Sequence, residues 1–213
     1  MNALIKVSVF ELKYKIFTMQ TNHINTLQIE TLEAEIWAQL QRARVDKHHE
    51  WRSPVLVTNG LAIDLQANWP DARTVILRGV NLTTKQLTFY TDSRSQKVAQ
   101  LQANSKAMLV FWSKRLNWQL RVKVTIKAIT EGEQLQKIWQ KVSQSQSAGD
   151  YLSLQSPGEL FDNTINIASQ MSQNKVHFAL LIADVVTIDW LALGREGHQR
   201  AKFDSEGFHQ LAP

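Results

Sequence analysis

The 213-residue chain contains no cysteine. Structural disulfides, zinc–thiolate centres and a cysteine nucleophile are therefore excluded, and the composition is compatible with a cytoplasmic setting. It also has no apolar run of the eighteen or so residues that a membrane span needs. The longest, FALLIADVVTI from Phe178 to Ile188, is broken by Asp184 and reads as strand. The formal charge is +5, but there is no Lys/Arg block of five or more. Basic and acidic residues interleave, so the excess does not call for nucleic acid. A Gly-x-Ser-x-Gly elbow, a Walker loop, a Gly-x-Gly-x-x-Gly turn and a His-Glu-x-x-His pair are all missing. His48-His49 stands in a polar stretch with no third ligand in view and reads as loop, so no metal site is expected.

What is present is ordinary for a globular protein, with 44% hydrophobic and 20% charged residues. The length suits one domain with a full core. Most of the seven tryptophans are expected in the core or at interfaces. Residues 1–18, MNALIKVSVFELKYKIFT, carry three lysines against one glutamate. They are read as a loose extension or a mis-called start ahead of Met19, with a single domain over residues 19–213.

The chain is organised around Arg73 to Lys97, RTVILRGVNLTTKQLTFYTDSRSQK. RTVILRGV alternates, with Arg73, Val75 and Leu77 on one face and Thr74, Ile76 and Arg78 on the other. NLTTKQ is turn-like, and LTFYT reads as a second strand paired back on the first. The run DSRSQKVAQLQAN then has helical spacing at Val98 and Leu101, with Asp92, Ser93 or Ser95 placed to cap it. Strand, turn, strand and helix N-terminus gather Arg73, Arg78 and Lys97 near unpaired first-turn N–H groups, a combination suited to one phosphate. A solvated hairpin with surface charges would share this pattern.

Elsewhere a helix is expected over about Ile29 to Arg44, with Leu32, Ile36, Trp37, Leu40 and Ala43 as its buried stripe. VLVTNGLAIDL and the loop QANWPDA lead back to Arg73 as a meander. KAMLVFWS and NWQLRVKVTIKAI are strands, the latter burying Leu120, Val122, Val124 and Ile126. Thr130-Glu131-Gly132-Glu133 has the capping-box pattern for a helix to about Gln144. Short helices or turns follow to Pro157-Gly158. VHFALLIADVVTIDWLAL is long enough for two strands or one bent strand.

These stretches resemble the pyridoxamine 5′-phosphate oxidase-like family. RTVILR is similar to its Arg-x-Val-Leu-Leu-Lys/Arg strand, FYTD to its Phe-Tyr-Thr-Asn, and SQK stands at its Ser-Arg-Lys. NWQLRV is similar to the segment carrying the family's Arg-Gln-Val, Gln155-Ser156 to its Gln-Ser pair, and Trp190 with Arg200 to its Trp-x(9)-Arg block. The form RTVxxRG…TDxRSxK is especially like a branch distinct from the authentic oxidases. The resemblance implies a mainly β, α+β chain, an antiparallel split β-barrel with peripheral helices. It implies FMN as cofactor, a homodimer with FMN at the subunit interface and a small-molecule substrate.

By the same resemblance the cofactor contacts are Arg73, Thr74, Val75, Ile76, Leu77, Arg78, Tyr90, Thr91, Ser95, Gln96, Lys97, Gln119, Gln155, Ser156, Trp190 and Arg200. Arg73, Arg78, Ser95 and Lys97 hold the phosphate end, Tyr90, Thr91 and Gln119 the ribityl chain and ring. Arg78 and His198 are the substrate-side candidates. Gln96 stands where many relatives carry arginine. The family's phosphate-binding set for its own substrate has no counterpart, because Ile138-Trp139 and Val142-Ser143 occupy that ground. Its Arg-x-His reads Glu196-Gly197-His198, a charge of the wrong sign for a substrate phosphate. The expected function is thus an FMN-dependent oxidoreductase on an unidentified small molecule. The alternatives are an authentic pyridoxamine/pyridoxine 5′-phosphate oxidase and a non-enzymatic flavin- or haem-binding module.

Overall fold

Alternating apolar positions build a single antiparallel sheet of nine strands in the computed structural model, which describes residues 26–60, 69–160 and 175–213. Helix α1 (Thr26–Val45) precedes β1 (Val55–Asn59), β2 (Pro70–Thr74), β3 (Leu77–Asn81) and β4 (Gln86–Asp92). Helix α2 (Gln96–Ala103), β5 (Lys106–Ser113), β6 (Trp118–Ile129) and α3 (Glu133–Val142) follow. A 3₁₀ segment (Gln146–Tyr151) then leads towards β7 (Phe178–Ala192), β8 (Gln199–Asp204) and β9 (Gly207–Leu211). The expected extension over residues 1–18 lies outside the described residues, as does most of the segment after Asn59-Gly60.

The strand order is β2-β1-β5-β6-β7-β4-β3. RTVILRGV, expected as one strand, is two. Arg73 and Thr74 end β2, which pairs with β1, whereas Leu77 opens β3, which pairs with β4. The two outermost strands of the order are thus joined by Val75 and Ile76 alone. A link of that length spans at most about 11 Å, so the sheet must curl until its edges meet. Among the described residues its hydrogen bonds do not close the ring; the chain does. This makes the architecture a split barrel, mostly antiparallel sheet with few helices. The Val75 N–H, freed from both ladders, donates to the Pro54 carbonyl at 2.9 Å.

β7 is one long strand with a register shift opposite Lys123 and Val124. One edge pairs with β6 along nearly its whole length. The other is shared: β4 takes Phe178–Asp184 and β8 takes Ile188–Ala192. Period-2 alternation sends β7 side chains to two cores. Leu181, Ala183, Ile188 and Trp190 join Leu56, Leu77, Phe89, Phe111, Leu120 and the α1 stripe Ile36, Trp37, Leu40 and Ala43. Phe178 and Leu180 instead meet Leu135, Val142 and Tyr151, with Tyr90, Ile138 and Trp139 packed around them.

The capping-box expectation is corrected here. Helix α3 starts after Gly132 and ends at Val142, and no side chain caps its N-terminus. Gly132 has φ +101°, a left-handed conformation that glycine adopts without strain. That turn enters the helix without the Thr130 hydroxyl.

Candidate functional site

The barrel mouth where β1 and β2 meet α2 holds a polar network. Asp71 and Arg73 lie two residues apart on one face of β2, and Thr58 of β1 is the register partner of Asp71. The Arg73 guanidinium donates to the Thr58 hydroxyl, the Asp71 carboxylate and, at 2.9 Å, Gln100 Oε1. Gln100, buried on α2, donates from Nε2 to Asp71 at 2.9 Å and accepts from Thr58 at 2.6 Å.

One helical turn before Gln100, Lys97 donates from Nζ to the Thr91 hydroxyl at 3.1 Å. Thr91 and Ser95 are buried, with their hydroxyls 3.2 Å apart. Ser95 occupies the N-cap position of α2 but turns its hydroxyl back to the Asp92 carbonyl, 2.7 Å away. Burial, and next the charge of Arg73, hold the Lys97 pKa below its ordinary value. Among the described residues no carboxylate forms an ion pair with Lys97. Lys97 in the first turn of α2, the Thr91 and Ser95 hydroxyls beside it and Arg73 held to Gln100 one turn further on form a donor set that fits a phosphate dianion.

Arg94 ties a second segment to this mouth. Its guanidinium holds Asp92 through Nε and Nη2 at 3.1 and 2.7 Å. It also donates to the carbonyls of Ser153, Leu154 and Gln155 at 2.9, 3.1 and 3.3 Å. Asp92 is only 5% exposed. Burial pushes its carboxyl up, but the side-chain and backbone hydrogen bonds from Arg94 outweigh that and hold it below the ordinary range. The clip fixes Gln155 and Ser156 beside the end of β4, and the Ser156 N–H is taken by Glu159 at 2.9 Å.

Arg78 does not join Arg73. Successive residues of β4 face opposite ways, so Thr91 turns to the mouth while Tyr90 turns to the outer core with Phe178, at a centroid distance of 5.1 Å. The Arg78 guanidinium lies 5.6 Å from the Tyr90 ring centroid and interacts with the Tyr151 hydroxyl. Burial raises both phenols above their ordinary pKa, against the pull of Arg78. The convergence of Arg73, Arg78 and Lys97 on one phosphate therefore becomes two cationic centres, one on each face of β4.

The remaining candidates sit at the far end of β7. Thr91 is opposite Ala179, whereas Gln119 and Arg200 are both opposite Leu191, twelve residues on. That is about 40 Å of strand contour. There Arg200 holds Asp189 through two bonds of 3.0 and 2.8 Å, and Arg121 binds the same carboxylate. Trp190 is a core residue 5.3 Å from the Trp118 ring. Its buried indole N–H has no partner, but Trp37 and Trp51 share that condition, so it does not mark a ligand. His198 is exposed and accepts from the Gly194 N–H at 3.3 Å.

Thr74 and Gln96 are exposed, Ile76 is half-buried, and Val75 and Leu77 point into the core. Sequence reasoning missed Asp71, Thr58, Gln100, Arg94, Tyr151 and the Arg121–Asp189 pair. Asp71 had a signal, since strand periodicity puts it on the face of Arg73. Gln100 had a weaker one, three residues beyond Lys97. Arg94 has Asp92 two residues away, but its carbonyl partners, and the partners of the others, are reached only through the fold.

The fold and the mouth define a class. Residues 34–130, just under half of the chain, match the family model described as pyridoxamine 5′-phosphate oxidase, FMN-binding domain. RTVILR, FYTD and SQK, which carried the expected resemblance, all fall within the matched span. Among particular relatives, the pyridoxine/pyridoxamine 5′-phosphate oxidase of Azorhizobium caulinodans is 42% identical over 64 residues, 30% of this chain and 29% of that protein. This chain thus matches under a third of that relative's length. A pyridoxamine 5′-phosphate oxidase-related, FMN-binding protein from Nostoc punctiforme superposes with TM-score 0.65 at 23% identity, over 84% of this chain and 96% of the other. PhzG from Burkholderia lata, solved with tetrahydrophenazine-1-carboxylic acid, gives 0.62 at 19% identity, over 86% and 91%. These two likenesses establish the split-barrel fold. No helix among the described residues is long and apolar enough to cross a membrane.

Proposed function

We propose that this chain, a single domain from about residue 19, forms a cytoplasmic homodimer that binds FMN between its subunits and acts as an oxidoreductase on a small molecule. The observation that carries the reading is Lys97, a half-buried ammonium set beside Arg73 with a hydroxyl, not a carboxylate, as its hydrogen-bond partner. A half-buried ammonium beside a like charge is costly without an ion-pair partner of its own, and a flavin mononucleotide phosphate supplies one. In this reading Arg73, Lys97 and the α2 N-terminus neutralise the phosphate, while Thr91 and Ser95 orient it. Arg94 holds Gln155 and Ser156 against the same end. Gln119 and Arg200, at the far end of β7, close the site from the second subunit, since one chain keeps them away from its own mouth. Bound there, FMN supplies two-electron redox chemistry, and the protein supplies position and charge. Arg78 with Tyr90 offers a separate cation for an anionic group of the substrate.

The test is a visible absorption spectrum of the purified protein before and after FMN addition, with the mass of the assembly followed alongside. A yellow dimer that quenches FMN fluorescence at one flavin per chain is the expected result. A colourless protein that leaves added FMN unperturbed would overturn the reading. Turnover of pyridoxamine 5′-phosphate is expected to be absent, because Glu196 stands where the authentic oxidases carry arginine. Turnover at an enzymatic rate would place the chain with them.

A further inference from the structure

Arg73 already holds an anion. Of the five N–H donors of its guanidinium, three are committed, to Thr58, Asp71 and Gln100. Its side chain is 19% exposed, whereas that of Asp71 is 38% exposed. The carboxylate is therefore the more solvent-accessible member of the pair and the more open to an incoming anion. It is held there twice, by Arg73 and by Gln100 Nε2. Asp71 also lies within electrostatic range of Lys97. Arg73, Lys97 and Asp71 together carry a net charge of +1, half of what the two cations alone would present to a phosphate.

We propose that Asp71 is a built-in competitor for the cofactor's phosphate, a carboxylate that occupies Arg73 when no phosphate is bound and repels a phosphate monoester when one arrives. The inference rests on the reading of Arg73 and Lys97 as the phosphate cradle. Its consequence is specific. The protein distinguishes FMN from riboflavin, the same flavin without phosphate, less sharply than its cations alone would, and FMN exchanges readily with solvent.

The experiment measures FMN and riboflavin affinities by flavin-fluorescence quenching for the full-length protein and its Asp71→Asn variant, with Asp71→Ser as a second variant. Thermal unfolding checks that each folds. A like charge a few ångströms away shifts an ionic equilibrium by roughly one to three powers of ten. Asp71→Asn is therefore expected to bind FMN about tenfold or more tightly, with riboflavin affinity unchanged. Unchanged or weaker FMN binding in the variants overturns the proposal and makes Asp71 a positioning residue for Arg73. An equal gain for riboflavin also overturns it, because the effect would not involve the phosphate. Loss of fold in both variants overturns it as well, making Asp71 a structural partner. If neither the wild-type protein nor the variants bind FMN, the flavin reading itself falls. Wild-type binding without a gain in the variants sinks only the role given to Asp71.

Discussion

Two clusters of equal formal charge sit at opposite ends of β7. At the mouth, Arg73 binds Asp71 and Lys97 lies within electrostatic range of it; at the far end, Arg121 and Arg200 share Asp189. Each has two cations and one carboxylate, yet their chemistry differs. Both far-end guanidiniums rest directly on the carboxylate, and Arg121 is 40% exposed. Burial pushes Asp189 up, but hydrogen bonds from Arg200 and then Arg121 hold it below the ordinary range. That cluster is satisfied as it stands. At the mouth, one cation is left on a hydroxyl and half-buried. Burial and the placement of the carboxylate, not the charge count, decide which cluster calls for an anion.

The comparison can be broken or sharpened experimentally. The largest effect on stability is expected from Arg94→Met, which leaves the buried Asp92 without its partner and costs about 3 kcal/mol at pH 7. Asp92 has a folded pKa below 3.8. Its pairing therefore stabilises the fold above pH 3.8 and is lost as pH falls through the lower folded value. Urea unfolding at pH 7 and again near pH 3 should show the penalty shrinking in acid; a constant penalty would show that the clip acts through the three carbonyls instead.

Next comes Lys97→Met. Loss of one charge-assisted contact should weaken FMN binding roughly tenfold to a hundredfold, about 1.5–3 kcal/mol. The melting temperature of the flavin-free protein should hold or rise, because the native ammonium is disfavoured by burial and by Arg73. A fall in that melting temperature would mean that Lys97 is a structural residue.

A mixing experiment joins the two ends. Lys97→Met and Arg200→Met chains should each bind FMN poorly alone. Co-refolded, they should recover one intact site in each mixed dimer, read as FMN bound per chain. Failure to recover would place Arg200 outside the flavin site. The smallest effect is expected from Asp189→Asn. Removing a partly exposed, shared carboxylate should cost about 1 kcal/mol, with the rest of the sheet unchanged by circular dichroism.

Much of the sheet was readable from the chain because alternation is local. Leu120, Val122, Val124 and Ile126 face the core as their spacing implied, and α1 differs from its expected span by a few residues at its N-terminus. The break at Val75-Ile76 was not readable. RTVILRGV alternates without interruption, and only the positions of β1 and β4 at distant places in the sheet divide it. Arg78 lies apart from Arg73 for the same reason, since its strand belongs to the other edge. The Thr130 capping box failed because Gly132 supplied a turn that bypasses it.

The sequence alone determined most of the alternating strands and the main helices, the resemblance to the family and the order of the cations along the chain, since each depends on residues within a few places of one another. The tertiary structure decided which cations meet. Curling the sheet until β2 and β3 became neighbours put Asp71 and Gln100 on Arg73, left Lys97 half-buried on Thr91, and carried Arg78 to the opposite face of β4. Those outcomes depend on partners distant in the chain, such as Thr58 and Gln100, 42 residues apart, and on how deeply each charge is buried, which strand periodicity does not encode.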